Sequence, residues 1–414
     1  MVVGLDIGTS CIRVAIGDVD ENENVQIAGT SVIKSDGLRN GIIVNIEAAK
    51  NAIKEAIELA EQNAGLEVSS VYTAIGGLQI SSTNSHGVVG ITKSRGNSRE
   101  ITSSDIDRVI ECAKSLKFPP DRKLLHIIPQ NFIVDGISAG VAAPIDRMGD
   151  RLEADVHIIT ASVSTVQNVR SCIDRAGYGS NGIMLKTLAS TYAVVHEDEL
   201  ELGSILIDLG AGTTDILVLL KGAPVYTASV QVGGNLVTND IAIVKGIPVA
   251  AAEKIKIESG CCWADCIEVD SEVIIPGVGG RAPEATTKSQ ICQIIQPRME
   301  EILKMVRSAI VQNSSVKQLS GNIILTGGGA QMKGIIELAQ AVFHTSSVRI
   351  GMPENLGGVE EDYRRPDFAT AVGLVVANKK AASTNGRKGK RRSHSSEPVE
   401  KKQSAFKKFM KSFF

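Results

Sequence analysis

The sequence predicts an α/β protein built from two similar lobes, each a sheet flanked by helices. Three stretches lead to that class. VVGLDIGTSCIRVAIGDV (residues 2–19) and SILIDLGAGTTDILVLLKG (204–222) share one layout: an apolar run, an Asp, a Gly/Thr/Ser turn and a second apolar run. Short β-rich runs broken by such a turn read as hairpins. The third stretch, NIILTGGGAQMKGIIELAQAVF from residue 322, reads as a strand, three glycines and a helix. A chain of 414 residues also exceeds what one core supports, so two or more domains are expected.

In each hairpin the turn exposes successive backbone N–H groups, and glycine lets a ligand come close to them, which makes a nest for phosphate oxygens. Asp6 and Asp208 end the first strand of each hairpin. A carboxylate beside an anion site makes sense if hydrated Mg²⁺ lies between, because Mg²⁺ keeps several waters and bridges carboxylates to phosphates. Either hairpin alone would more often be only a turn. Two of them, about 200 residues apart, point to two similar domains gripping one nucleotide from opposite sides. The glycine-rich turn at 327–329 opens a helix, and helix N-termini receive phosphate or nucleotide. VAAAEKIKIESG (249–260) reads as a helix ended by Gly260, with Glu253 and Lys256 on one face.

Composition excludes several classes. The apolar fraction of 43% is ordinary for a globular chain, and no uninterrupted apolar run of about 18 residues suggests a spanning helix. MVVGLDIGTS has neither a basic leader nor a cleavage site, so a cytoplasmic protein is expected. Of seven cysteines, Cys261, Cys262 and Cys266 cluster without CxxC spacing or a nearby His, which favours reduced, packed thiols over zinc. GISAG (136–140) fits the GxSxG elbow, but that elbow needs a following helix and VAAP follows here, so no hydrolase triad is expected. The net charge of −2 hides a split: residues 379–414 carry twelve Lys or Arg and two Glu. The body is therefore acidic, with no nucleic-acid character, and the tail is built to meet an anionic surface.

In their order along the chain, the two Asp–Gly–Thr hairpins, the helix and the GGG turn resemble the actin–Hsp70–sugar kinase superfamily. That resemblance implies duplicated RNase H-like domains with ATP–Mg²⁺ in the cleft between them. It assigns phosphate contacts to Asp6, Gly8, Thr9 and Ser10, and to Asp208, Gly210, Gly212, Thr213 and Thr214. Asp6 and Asp208 would hold Mg²⁺ through water. Glu253 and Lys256 would contact ribose and base, and Gly327, Gly328, Gly329 and Met332 would line the adenosine side.

Further stretches narrow the family. EAAKNAIKEAIELAEQNAG (47–65) is an amphipathic helix closed by Gly65, and another helix is expected near 103–116, capped by Ser103 or Ser104. HIIPQNFIVDGISAGVAAPIDRMGDRLEADVHIITAS, GGNLVTNDIAIVKGIPVAAAEKIK, IIPGVGGRAPE, IIQPRMEEI and PDFATAVGLV then closely resemble the FtsA family of bacterial cell-division proteins, from residue 1 to about 378. The implied fold is actin-like with an inserted subdomain 1C. The implied division is 1–80, 162–200 and 356–378 for subdomain 1A, 81–161 for 1C, 201–225 and 299–355 for 2A, and 226–298 for 2B. Two positions depart from the family pattern: Cys11 stands where many members have Lys, and Lys186–Thr187 where many have Glu-Pro. A charged lysine cannot accept a proton from water. Catalytic residues are therefore left unassigned, with at most a slow ATPase expected.

The tail has its own pattern. Residues 379–403 lack apolar periodicity and read as a disordered basic linker. Phe406, Phe409, Met410, Phe413 and Phe414 then fall at i, i+3, i+4, i+7 and i+8, with Lys407, Lys408 and Lys411 opposite. Such a helix lies flat in a membrane interface. Ordering it offsets most of what its insertion gains, so one tail binds weakly and many on one polymer bind tightly. FtsA proteins also end this way. The resemblance thus implies an ATP-binding protein that polymerises on the cytoplasmic face of the inner membrane. There it would bind anionic lipid, hold the C-terminal peptide of the ring protein FtsZ on 2B with Arg298 in contact, and recruit later division proteins through 1C. A pilus-assembly actin relative or, less well, a sugar-kinase-type phosphotransferase are the alternatives; the pilus relative lacks the amphipathic tail.

Overall fold

A computed structural model describes residues 1–91, 99–115, 118–314 and 321–379. The linker from 380 onward and the amphipathic segment 404–414, with its five apolar and three lysine positions, lie outside the described residues.

The opening apolar run becomes strand β1 (Val2–Ile7), buried over all but its last residue. It can be apolar on both faces because helices cover both sides of its sheet. β2 (Cys11–Val19) and β3 (Val25–Lys34) return antiparallel beside it. After helix α1 (Ile46–Ala64), strand β4 (Ser70–Ile75) joins β1 in parallel. α1 forms where the sequence reading put it: Asn45 caps its start by accepting from the Ala48 N–H, and Gly65 in the left-handed region ends it.

The chain then leaves the lobe. β5 (Ile80–Gly90), α2 (Ser103–Ala113), β6 (Arg122–Val134), β7 (Ile137–Gly140) and β8 (Arg151–Ser162) build a separate four-stranded antiparallel sheet, ordered β7-β6-β8-β5. It has its own core, in which Ile106 and Val109 of α2 meet Phe132, Leu152 and Val156. The cap of α2 is Thr102, not Ser103 or Ser104. Thr102 and Asp105 satisfy one another in a capping box, and Asp105 is further held by Arg99 and Arg108; the helix starts at Ser103, as expected, and ends at Ala113, short of 116. GISAG is the strand β7 with its turn, not an elbow into a helix.

The inserted unit also touches the far lobe. Buried His157 on β8 bonds to Asn84 at 2.6 Å and, across the boundary, to the Thr227 hydroxyl at 3.0 Å. Ser82 and Gln130 donate to the Thr227 and Pro224 carbonyls of the same edge strand.

α3 (Val163–Ala176), β9 (Gly179–Leu185) and α4 (Lys186–Val194) complete the first lobe, whose sheet runs β9-β4-β1-β2-β3 with a short outer strand at Gly357–Gly358. The second lobe repeats the plan. β10 (Ser204–Leu209), β11 (Thr214–Leu220) and β12 (Ala223–Val230) form an antiparallel meander. Helices α5 (Gly234–Lys245), α6 (Val249–Ser259) and α7 (Lys288–Asn313) follow, then β13 (Asn322–Thr326), α8 (Ile335–Phe343) and β14 (Val348–Ile350). Its order is β12-β11-β10-β13-β14, three antiparallel strands and then two parallel ones, as in the first sheet. The duplication read from two hairpins therefore extends to two whole sheets.

α4 and the final helix α9 (Ala369–Ala377) lie between the sheets. All nine residues of α9 are buried. Their side chains share one core with Ala15 and Ala74 of the first sheet and Leu206, Leu217 and Ile324 of the second. The lobes are thus joined by a common apolar layer that ends at the cleft.

Candidate functional site

The two hairpin turns face each other across a cleft of about 470 Å³. Their geometry is the same. In register, Asp6 lies opposite Arg13 and Asp208 opposite Asp215. The Gly8 N–H donates to the Cys11 carbonyl at 3.1 Å, and the Gly210 N–H to the Thr213 carbonyl at 3.0 Å. A Cβ on Gly8 or on Gly210 would stand 2.7 Å from that same carbonyl oxygen, so neither turn closes with a side chain there.

At the centre of the cleft stands Lys186, the first residue of α4. Its Nζ lies 3.4 Å from Asp208 Oδ2 and 3.7 Å from Asp6 Oδ1. Burial pulls the Lys186 ammonium down, but Asp208, Asp6 and Asp215 outweigh it and hold the group above its usual range, so it is charged. Burial pushes Asp6 up against the pull of Lys186 and Arg13, and burial with the neighbouring Asp208 pushes Asp215 up. Asp215 also accepts from the Gly77 N–H of the first lobe at 2.9 Å. Beside them Arg13 pairs with Asp367 at 2.8 Å, and Arg365 pairs with the same carboxylate at 2.6 Å. Burial would raise Asp367, yet Arg13 and Arg365 together hold it below the usual carboxylate range.

Two buried carboxylates facing a phosphate nest suit a hydrated Mg²⁺ in kind, and Asp208 Oδ1 has no hydrogen-bond partner among the described residues. The space between them is taken by the Lys186 ammonium. A divalent cation within about 4 Å of an ammonium is repelled in this low-dielectric setting. The residues therefore do not fit a Mg²⁺ bridging Asp6 and Asp208, which departs from the sequence expectation for a reason that is electrostatic and local.

The other half of the cleft is less charged. Glu253 and Lys256 form an ion pair at 2.7 Å, and both hold Thr238 on α5, with the Lys256 ammonium also reaching the Gly234 carbonyl. α5 starts against the second turn: the Gly234 N–H donates to the Gly210 carbonyl and the Asn235 N–H to that of Ala211. Gly327 has φ +82°, and a Cβ on it would meet Asp208 Oδ1 at 2.2 Å. A Cβ on Gly328 would meet nothing within 4 Å, because it points into the cleft. Gly329 and Met332 line the same wall.

Of the positions singled out in the sequence, Asp6, Gly8, Thr9, Ser10, Asp208, Gly210, Thr214, Glu253, Lys256, Gly327, Gly328, Gly329 and Met332 all line this cleft. Gly212 and Thr213 do not. They line a narrow gap behind it, where a Cβ on Gly212 would strike the Asn40 Cα at 2.8 Å. Arg298 is remote, on α7, where it pairs with Asp240 at 2.6 Å and with Glu301. It borders a shallow groove flanked by Ile243 and Val244, which are 78% and 63% exposed. Cys261, Cys262 and Cys292 are buried and reduced, and no group of His, Cys, Asp or Glu among the described residues could hold a metal ion. The sequence reading did not include Arg13, Arg365 and Asp367 in the site. Their signal was the charge in YRRPDF just ahead of the final apolar helix, but its partner lies 354 residues away.

Comparison with known proteins adds the following. A family model described as Cell division protein FtsA matches residues 205–373, and the model of the SHS2 domain inserted in FTSA matches 77–160. The Cell division protein FtsA of Borreliella burgdorferi is 42% identical over 377 residues, covering 91% of this chain and 90% of that protein. Among solved structures, the PilM-PilN type IV pilus biogenesis complex has a similar chain, with a TM-score of 0.65 at 17% identity, over 91% of this chain and 97% of that one. MreB5 of Spiroplasma citri bound to ADP follows at a TM-score of 0.51 and 14% identity, over 93% and 98%. At such identities the last two are likenesses of fold.

Proposed function

The chain belongs to the FtsA family of cell division proteins, and from that premise we propose that it binds ATP in the interlobe cleft and assembles into membrane-bound filaments that anchor the division ring. The observation that carries the nucleotide reading is the pair of matched turns lining one cleft, with glycines at which a Cβ would clash. The ADP bound by the similarly folded MreB5 supports it. Phosphates lie between the Gly8–Ser10 and Gly210–Thr214 turns, and the nucleoside lies against Glu253, Lys256, Gly328 and Met332. The division into subdomains 1A, 1C, 2A and 2B follows the boundaries given above.

Hydrolysis is slow in this reading. The group that the end of β9 places against Asp6 and Asp208 is an ammonium, which has no lone pair with which to take a proton from water. Nucleotide then serves to set the lobes for assembly rather than to drive turnover.

Membrane attachment is assigned to Phe406, Phe409, Met410, Phe413 and Phe414 with Lys407, Lys408 and Lys411, and ring attachment to the groove at Ile243, Val244 and Arg298. Two exposed aliphatic side chains suit the apolar residues of a short peptide, such as the FtsZ C-terminal peptide. The inserted unit, with its own core, is the surface for later division proteins. No helix among the described residues is long and apolar enough to cross a membrane, so attachment in this reading is peripheral. The full chain imaged on anionic vesicles with ATP tests the proposal: filaments coating the vesicles are expected, and a protein that neither binds nor polymerises contradicts it.

A further inference from the structure

We propose that Lys186 is a built-in counter-cation that takes the place of the divalent ion between the two phosphate turns, so that this protein binds ATP with little dependence on Mg²⁺. The inference rests on the nucleotide reading above. Lys186 Nζ contacts one carboxylate from each lobe, Asp208 at 3.4 Å and Asp6 at 3.7 Å. It therefore spans the two turns, as a bridging metal would. The lysine is fixed at the start of α4, a helix almost wholly buried between the sheets, so its stem has little freedom to swing away. Its side chain keeps 19% exposure, and that exposure is toward the cleft, where a phosphate oxygen can reach a remaining N–H.

The charge balance points the same way. Asp6 and Asp208 are buried in the cleft wall, and Asp215 is buried in the gap behind it. Arg13 pulls on Asp6 but is ion-paired to Asp367, whereas Lys186 is in direct contact with both Asp6 and Asp208. Without it the cleft would present Asp6 and Asp208 to an anionic ligand, with Asp215 buried behind them, and would need a metal to accept ATP at all. With it, one of the two positive charges that Mg²⁺ ordinarily supplies is covalently attached.

The test is ATP titration of the full chain by calorimetry, once in magnesium and once in EDTA. The wild type is expected to change affinity by less than about threefold between the two. Lys186→Gln is expected to lose on the order of tenfold or more in EDTA and to recover in magnesium, while Lys186→Arg, which keeps the charge, stays metal-independent. A wild type that binds ATP in magnesium but loses about tenfold or more in EDTA overturns the inference and leaves the nucleotide site standing. A Lys186→Gln protein as indifferent to EDTA as the wild type also overturns it. Absence of ATP binding in both buffers removes the nucleotide reading and this inference together. The wild-type arm needs no variant, so a folding defect in Lys186→Gln does not shield the proposal.

Discussion

Gly327 and Gly328 are neighbours with opposite reasons to be glycine. Gly327 needs a positive φ, and any Cβ on it collides with Asp208. Gly327→Ala is therefore expected to destabilise the second lobe by about 1–3 kcal/mol, seen as a lower melting temperature. Gly328 has open space where its Cβ would be. Gly328→Asp is expected to melt like the wild type yet lose ATP affinity by on the order of tenfold or more, because it adds charge and bulk to the cleft wall on which the nucleoside lies. Equal affinity would show that the ligand does not pass Gly328. Lys186 carries the third prediction at this scale: steady-state phosphate release well below about 1 per second, the low end of ordinary turnover. Faster release would mean that another group activates the water.

This scale also shows why part of the site was legible and part was not. Asp6–Ser10 and Asp208–Thr214 were readable because a strand, an Asp and a glycine turn are contiguous, and the chemistry of a turn is local. Lys186 could be noticed as a departure from a pattern, but its meeting with Asp6 and Asp208 depends on how β9 lies two strands away from β1 in the sheet. The Arg13–Asp367 pair was invisible for the same reason. Thr102 was missed because two serines follow it, and only the backbone decides which of three hydroxyls faces the open N–H groups.

At the scale of elements, the docking of the inserted sheet on the second lobe is held by a histidine that burial keeps neutral. His157 is pushed down to about 4, with its ring nitrogens on Asn84 and Thr227, and His126, which accepts from the Leu185 N–H, is likewise pushed down to about 4. The unfolded chain binds these protons near pH 6.5, and the folded chain resists them until about pH 4. Stability from each is thus complete above pH 6.5 and is lost as pH falls from there toward 4, by at most about 3 kcal/mol per residue. A melting series should fall across that window, and His157→Gln should flatten about half of the slope. A flat series in the wild type would place these rings in contact with water. α1, α6, the two hairpins and the strand from residue 322 followed from pattern and caps, whereas the remaining strands and the shared burial of α4 and α9 did not. A uniformly apolar helix tells that it is covered, not by what.

At the scale of the whole molecule, the same α/β layer plan occurs twice with one apolar layer between, and the cleft opens at its edge. In the proposed function the acidic body assembles and the basic tail attaches. Removal of residues 404–414, or Phe409→Glu, is expected to leave the melting temperature of the body unchanged and to abolish co-sedimentation with anionic vesicles. A truncated chain that still pellets would move the membrane contact onto the body. The central claim is that both lobes grip one nucleotide, and amide hydrogen exchange of the full chain with and without ATP tests it most directly. ATP is expected to slow exchange together at Gly8–Ser10, at Gly210–Thr214 and around Gly328. Protection confined to one lobe, or to neither, would contradict it.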